Sequence, residues 1–219
     1  MKICGIDEAG RGPVVGPLVI CGACFEDVDV PELAKLNVKD SKLLTPTRRK
    51  HLFQKIIDLS SGYVIKIVPA EEIDSRAAVG LNLNELEALK IAHIIDELKP
   101  DVVYVDSPTS PDPNKFEKHI RKHLKNQKVD IHAEWKADVN HLEASAASIL
   151  AKVTRDEEIE KIKKKLGENF GSGYSADPVT IKFVKEHWDN TLAKYIRKSW
   201  GTIKELEKMK NQKSLADFD

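Results

Sequence analysis

One octapeptide near the start, Gly5-Ile6-Asp7-Glu8-Ala9-Gly10-Arg11-Gly12, constrains the fold of this chain more than any other stretch. It continues a short alternating run, Lys2–Asp7, that reads as a strand and ends on two adjacent carboxylates. Hard divalent cations prefer oxygen ligands, so acids at a strand end offer a site for Mg²⁺ or Mn²⁺. The two glycines of the next turn let backbone approach a large polar ligand closely. Arg11 between them carries a planar donor fork suited to phosphate. Metal ligands beside a phosphate-binding turn point to phosphodiester chemistry.

With Gly10-Arg11-Gly12-Pro13 as a tight turn, the first run and the Val-, Ile- and Cys-rich run Val14–Phe25 read as an antiparallel pair. Thr45 as N-cap and Pro46 at the first helical position open a helix that buries Leu52, Phe53, Ile56 and Ile57 and ends before Gly62. Tyr63–Val68 is a third strand. Ala88, Ile91, Ile94, Ile95 and Leu98 mark an amphipathic helix that stops at Lys99-Pro100. Asp101–Asp106 is a buried strand, again ending on an acid, and Val129–His132 is a fifth, with a helix over Asn114–Asn126 between them. A long helix follows over His141–Leu166. Beyond the break at Gly171-Ser172-Gly173, helices are expected around Thr180–Trp188 and Thr202–Lys210. Three strands followed by alternating helix and strand predict an α/β fold, a five-stranded mixed sheet flanked by helices with a small C-terminal helical region.

The balance of 35 basic and 35 acidic residues excludes a generally basic DNA-coating protein, but the charge is uneven. Residues 1–151 hold 20 basic and 23 acidic groups, a net −3, whereas 152–213 hold 15 and 10, a net +5. An acidic half joined to a basic half suits a nuclease, because phosphate backbones need cations nearby. No apolar run reaches the ~18 residues that span a bilayer, and with acids at 7 and 8 no cleavable leader is expected before them. The chain is expected to be cytoplasmic and monomeric. Cys4, Cys21 and Cys24 lack the second ligand pair of a zinc knuckle and sit in strand-like sequence, so they read as buried free thiols.

Asp7, Glu8 and Asp106 all fall at C-terminal strand ends, where open α/β sheets place their sites, and Asp138 follows the fifth strand. Four carboxylates at one sheet edge repel one another unless cations neutralise them. A two-metal site, with ions roughly 3.5–4 Å apart, does so and polarises both attacking water and leaving oxygen. On the long helix, Leu142, Ala146, Ile149 and Val153 form an apolar stripe, beside a polar stripe of Ser145, Ser148, Lys152 and Arg155.

These residues resemble ribonuclease HII, the archaeal branch in particular. The likeness is carried by the opening octapeptide, by Asp40-Ser41-Lys42-Leu43-Leu44-Thr45-Pro46, Tyr104-Val105-Asp106-Ser107 and Lys136-Ala137-Asp138, by the run from Ser145 to Asp156, and by Gly171-Ser172-Gly173-Tyr174. The resemblance implies a ribonuclease H-like fold that hydrolyses the RNA strand of RNA–DNA hybrids. It also implies a cut 5′ of single ribonucleotides in duplex DNA, leaving 3′-hydroxyl and 5′-phosphate ends. Asp7, Glu8, Asp106 and Asp138 would be the catalytic metal-binding acids. Gly10, Arg11 and Gly12 would contact the 2′-hydroxyl, and Tyr174 would stack on the sugar at the RNA-to-DNA junction. Ser41, Lys42, Ser148, Lys152 and Arg155 look like phosphate contacts. A 2′-hydroxyl is what separates RNA from DNA, so recognition of this kind needs no base reading.

The implied organisation is a catalytic core over 1–170, a helical substrate-binding region over 171–210 and a flexible tail over 211–219. In that tail, Gln212, Leu215 and Phe218 are spaced like a sliding-clamp-binding motif, with Asp219 where a second aromatic is usual. A non-catalytic hybrid- or clamp-binding protein is the rival reading. It gives no reason for four acids beside phosphate contacts, since these repel the ligand.

Overall fold

The structure, a computed structural model, describes residues 1–38, 44–108 and 112–216, with 113 and 211–216 as backbone only. In chain order the elements are β1 (Lys2–Ala9), β2 (Leu18–Glu26), α1 (Val30–Lys35), α2 (Pro46–Leu59), β3 (Gly62–Val68), α3 (Ala70–Ser75) and α4 (Leu83–Leu98). They continue with β4 (Val102–Asp106), α5 (Pro113–Arg121), β5 (Asp130–Glu134), α6 (Ala137–Asn140), α7 (Leu142–Leu166), α8 (Pro178–His187) and α9 (Gly201–Ala216). The five strands form one sheet in the order β3-β2-β1-β4-β5. β1 and β3 run antiparallel to β2, and β4 runs parallel to both β1 and β5, giving the expected mixed sheet.

Local chemistry accounts for several boundaries. The Thr45 hydroxyl accepts the Arg48 N–H at 3.2 Å and Pro46 opens α2. Asn82 and Glu85 close a reciprocal capping box on α4, and that helix ends at Lys99 in left-handed backbone just before Pro100.

Elsewhere the expected bounds move. The second strand begins at Leu18 rather than Val14, because Pro13 and Pro17 have no N–H to give a ladder. Val14 and Val15 instead donate their N–H groups to the Gly173 carbonyl at 2.8 and 3.1 Å. The helix expected to reach Asn126 ends at Arg121, and the Gln127 side chain donates to the carbonyls of Arg121 and Leu124. The fifth strand runs over 130–134, and α9 continues past Lys210 to Ala216.

Alternation of side chains divides the core between the two faces of the sheet. Cys4, Ile6, Leu18, Ile20, Val103 and Val105 pack against α4 and α5. Ala9, Val19, Cys21, Ala23 and Phe25 pack with α1, α2 and the first half of α7. α7 lies directly on the backbone of β1: a Cβ at Gly5 would fall 2.0 Å from the Glu143 carbonyl carbon. A third cluster joins Val14 and Val15 to the second half of α7, α8 and Ile203 of α9. All three cysteines are buried and free.

Candidate active site

Strand register brings the acids together. β1 and β4 are parallel with Ile6 beside Val105, so the next residues along, Asp7 and Asp106, lie side by side where both strands end. Asp7 faces α7, and Glu8, one residue on, faces α4. Carboxylate oxygens of Asp7, Glu8 and Asp106 nevertheless lie within 4.8 Å of one another. Asp7 accepts the Glu8 N–H at 2.7 Å and a hydrogen bond from the Ser148 hydroxyl. Asp106 accepts the Ala137 N–H at 2.8 Å, which ties it to the start of α6. Asp138, in that same short helix, is buried, and its charge acts on Asp7. The Ser145 hydroxyl donates to the Asp138 carbonyl, so the stripe on α7 fixes α6 from below.

Burial first, then the Asp106 charge, pushes the Asp7 carboxyl up to about 8. Glu8 is held well above the usual carboxylate range by burial, then by Glu87 and Asp7. Such crowding is costly unless positive charge arrives. The all-oxygen donor set fits Mg²⁺ or Mn²⁺.

Across from the acids, Gly10, Arg11 and Gly12 line the same cavity, about 350 Å³, together with Ser148, Lys152 and Tyr174. Gly10 has φ of 82°, and a Cβ there would fall 2.7 Å from the Pro17 carbonyl, so the turn requires glycine. A Cβ at Gly12 would lie 3.6 Å from the Tyr174 ring, which is 41% exposed. Arg11 departs from the expected phosphate fork. Its guanidinium pairs with the buried Glu87 and donates to Asn84 Oδ1 at 2.6 Å, both on α4.

Arg155 departs likewise. It is buried, donates to the Ser172 carbonyl at 2.7 Å and lies 5.4 Å from the Tyr174 ring centroid, where it supports that aromatic. Lys152 stays partly exposed beside Asp156. Asp177 caps α8 through the Val179 N–H and also accepts the Ser172 N–H and hydroxyl, which fixes the turn before Tyr174. Ser41, Lys42 and Phe218 lie outside the described residues, as do the side chains of Gln212 and Leu215.

Two residues escaped the sequence reading. Arg197 is fully buried and donates to the carbonyls of Gly10, Arg11 and Gly16, while Trp200 Nε1 donates to the Gly12 carbonyl. Their only sequence signal is a basic residue and an indole in a helical region. Their partners are about 190 positions away, as those hydrogen bonds record.

The ribonuclease HII family model matches residues 4–203. A ribonuclease HII of Pyrococcus furiosus is 45% identical over all of this chain and 97% of its own length. The ribonuclease H2 crystal structure from Pyrococcus horikoshii is similar with a TM-score of 0.86 and 44% identity, covering 95% of this chain and 98% of that one. A PCNA:RNase HII complex from Archaeoglobus fulgidus gives 0.81 and 38%, covering 91% of this chain and 95% of that one.

Proposed function

The chain belongs to the ribonuclease HII family and is a ribonuclease H, an endonuclease acting on RNA–DNA; within that activity, we propose that it cuts on the 5′ side of a ribonucleotide, including a single one embedded in duplex DNA. Asp7, Glu8 and Asp106, with Asp138 beside them, would hold two divalent cations. Bound there, the cations supply an activated water and neutralise charge at the leaving oxygen. The protein does the positioning. Ser148 orients Asp7, Lys152 offers its ammonium to the strand, and Tyr174 gives the sugar an aromatic surface. The backbone N–H groups of Arg11 and Gly12 meet the 2′-hydroxyl. Water adds to phosphorus while the bond from phosphorus to the preceding O3′ breaks, leaving a 3′-hydroxyl and a 5′-phosphate on the ribonucleotide.

One observation carries this reading: three clustered carboxylates and a glycine turn share a single cavity with one exposed tyrosine. The test is cleavage of an RNA–DNA hybrid with Mg²⁺ or Mn²⁺. Activity is expected to vanish with chelator and to fall about 10³-fold or more in Asp7→Asn. Full activity without metal overturns the mechanism, and tight binding with no cut favours the non-catalytic alternative.

A sliding clamp is the proposed protein partner, through Gln212, Leu215 and Phe218. Gln212 and Leu215 fall at the end of α9 on a largely polar stretch, and a clamp pocket would bury the apolar side chains of Leu215 and Phe218. That a similar ribonuclease HII was solved in complex with PCNA supports the reading. Calorimetry should show Phe218→Ala weakening clamp binding about tenfold or more. Equal affinities for the full chain and one ending at Met209 would exclude the tail.

A further inference from the structure

We propose that Arg197 and Trp200 are positioning residues, a brace in which Arg197 turns the carbonyls of Gly10 and Arg11 away from the cleft, so that the turn's N–H edge meets the ribonucleotide, and Trp200 anchors the Gly12 end of the turn, whose carbonyl precedes Pro13 and its missing N–H. The inference rests on the hydroxyl-reading role given to that turn above. Arg197 Nη2 donates to the Gly10 carbonyl at 2.6 Å, Nη1 to that of Arg11 at 2.8 Å and Nε to that of Gly16 at 3.0 Å. Trp200 Nε1 donates to the Gly12 carbonyl at 3.0 Å. In a planar trans peptide the carbonyl and the following N–H point opposite ways. Carbonyls of Gly10 and Arg11 held toward Arg197 therefore direct the N–H groups of Arg11 and Gly12 to the other side. Neither N–H has an acceptor among the described residues. The cavity with Asp7, Glu8 and Tyr174 is lined by the turn and by neither Arg197 nor Trp200, as an N–H edge directed away from the brace and into that cavity requires.

The brace is itself anchored. The Arg197 N–H donates to the Val14 carbonyl at 2.8 Å, and the Gly16 N–H donates to the Tyr195 carbonyl at 2.9 Å. Asp74 accepts the N–H groups of Lys198 and Ser199 at 2.7 and 3.0 Å. The Trp200 ring lies 4.9 Å from the Arg197 guanidinium and 5.6 Å from that of Arg76. A buried guanidinium is costly, and its rigid fork can satisfy several carbonyls at once where an ammonium cannot hold the same geometry.

Binding is measured by fluorescence anisotropy in Mg²⁺ at one salt concentration, with every protein carrying Asp7→Asn so that substrate stays intact. The duplexes are one containing a single ribonucleotide and an all-DNA duplex of the same sequence. The Asp7→Asn parent is expected to prefer the ribonucleotide duplex. Adding Trp200→Phe, which keeps the ring and removes the N–H, or Arg197→Lys should cut that preference about threefold to tenfold while leaving all-DNA affinity unchanged. Should Arg197→Lys fail to fold by circular dichroism, Trp200→Phe alone decides. Full preference in the folded variants, or equal weakening on both duplexes, overturns the brace. A parent with no preference overturns the hydroxyl reading itself and the brace with it, which separates the two failures.

Discussion

Asp7 meets the sheet's alternation, its own burial and the charge of its neighbours at one point, and its protonation follows. Its ordinary value of 3.8 rises to about 8, and burial likewise raises Glu87 from 4.5 to about 7. A folded pKa above the unfolded one means the folded state keeps a proton that the unfolded chain has lost. Between about pH 4 and 8, stability of the metal-free protein from these groups therefore falls as pH rises. A bound cation requires the deprotonated carboxylates, so the gain in melting temperature on adding Mg²⁺ should be larger at pH 8 than at pH 6. Equal gains would show that the acids do not hold the ion. The same crowding predicts that Asp7→Asn, while inactive, melts higher than the wild type at pH 8 without metal, by about 2–4 °C for each kcal/mol relieved. Residue identity made Asp7 and Glu8 legible in the sequence, because few structural roles want adjacent acids at the end of an apolar strand. Arg11, Arg155 and Arg197 were not legible in that way. An arginine looks the same whether it meets a phosphate, a buried glutamate or a row of carbonyls, and only distant partners decide.

At the scale of elements, α7 on β1 is the contact that sets the site, since it places Ser148 over Asp7. The close approach at Gly5 makes Gly5→Ala a sharp probe: its Cβ would overlap the Glu143 and Ala144 backbone, which cannot swing aside as a side chain can. Urea unfolding should register a loss of at least about 2 kcal/mol, and a neutral result would contradict the packing. Elements whose ends are written locally were readable, as with Thr45 and Pro46 of α2 or Pro100 after α4. The start of β2 was not. Val14 and Val15 look like strand residues by composition, yet their hydrogen bonds go to Gly173 and Val14 also accepts from Arg197, contacts that no local window contains. The short helices α1, α3 and α6 also escaped, because four to six residues leave too little periodicity to detect.

For the whole molecule, the two ends of the chain build one site. The acidic first half supplies the carboxylates and the glycine turn, and the basic C-terminal part fixes that turn through Arg197 and carries Tyr174. A second groove of about 710 Å³ shares Lys152 and Tyr174 with the cavity of the clustered acids and continues past Lys50 and Lys164. If the duplex follows it, the dependence of log Kd on log salt should become shallower by about one unit each in Lys50→Ala and Lys164→Ala. Unchanged slopes would place the duplex elsewhere. The most direct measurement is product analysis on a DNA duplex carrying one ribonucleotide, incubated with Mg²⁺ or Mn²⁺ and resolved at single-nucleotide length. The arrangement of acids, turn and tyrosine predicts one cut, 5′ of the ribonucleotide, with 3′-hydroxyl and 5′-phosphate ends and none in the all-DNA duplex. A cut at any other bond, a cut in chelator, or equal cutting of the all-DNA duplex would contradict it.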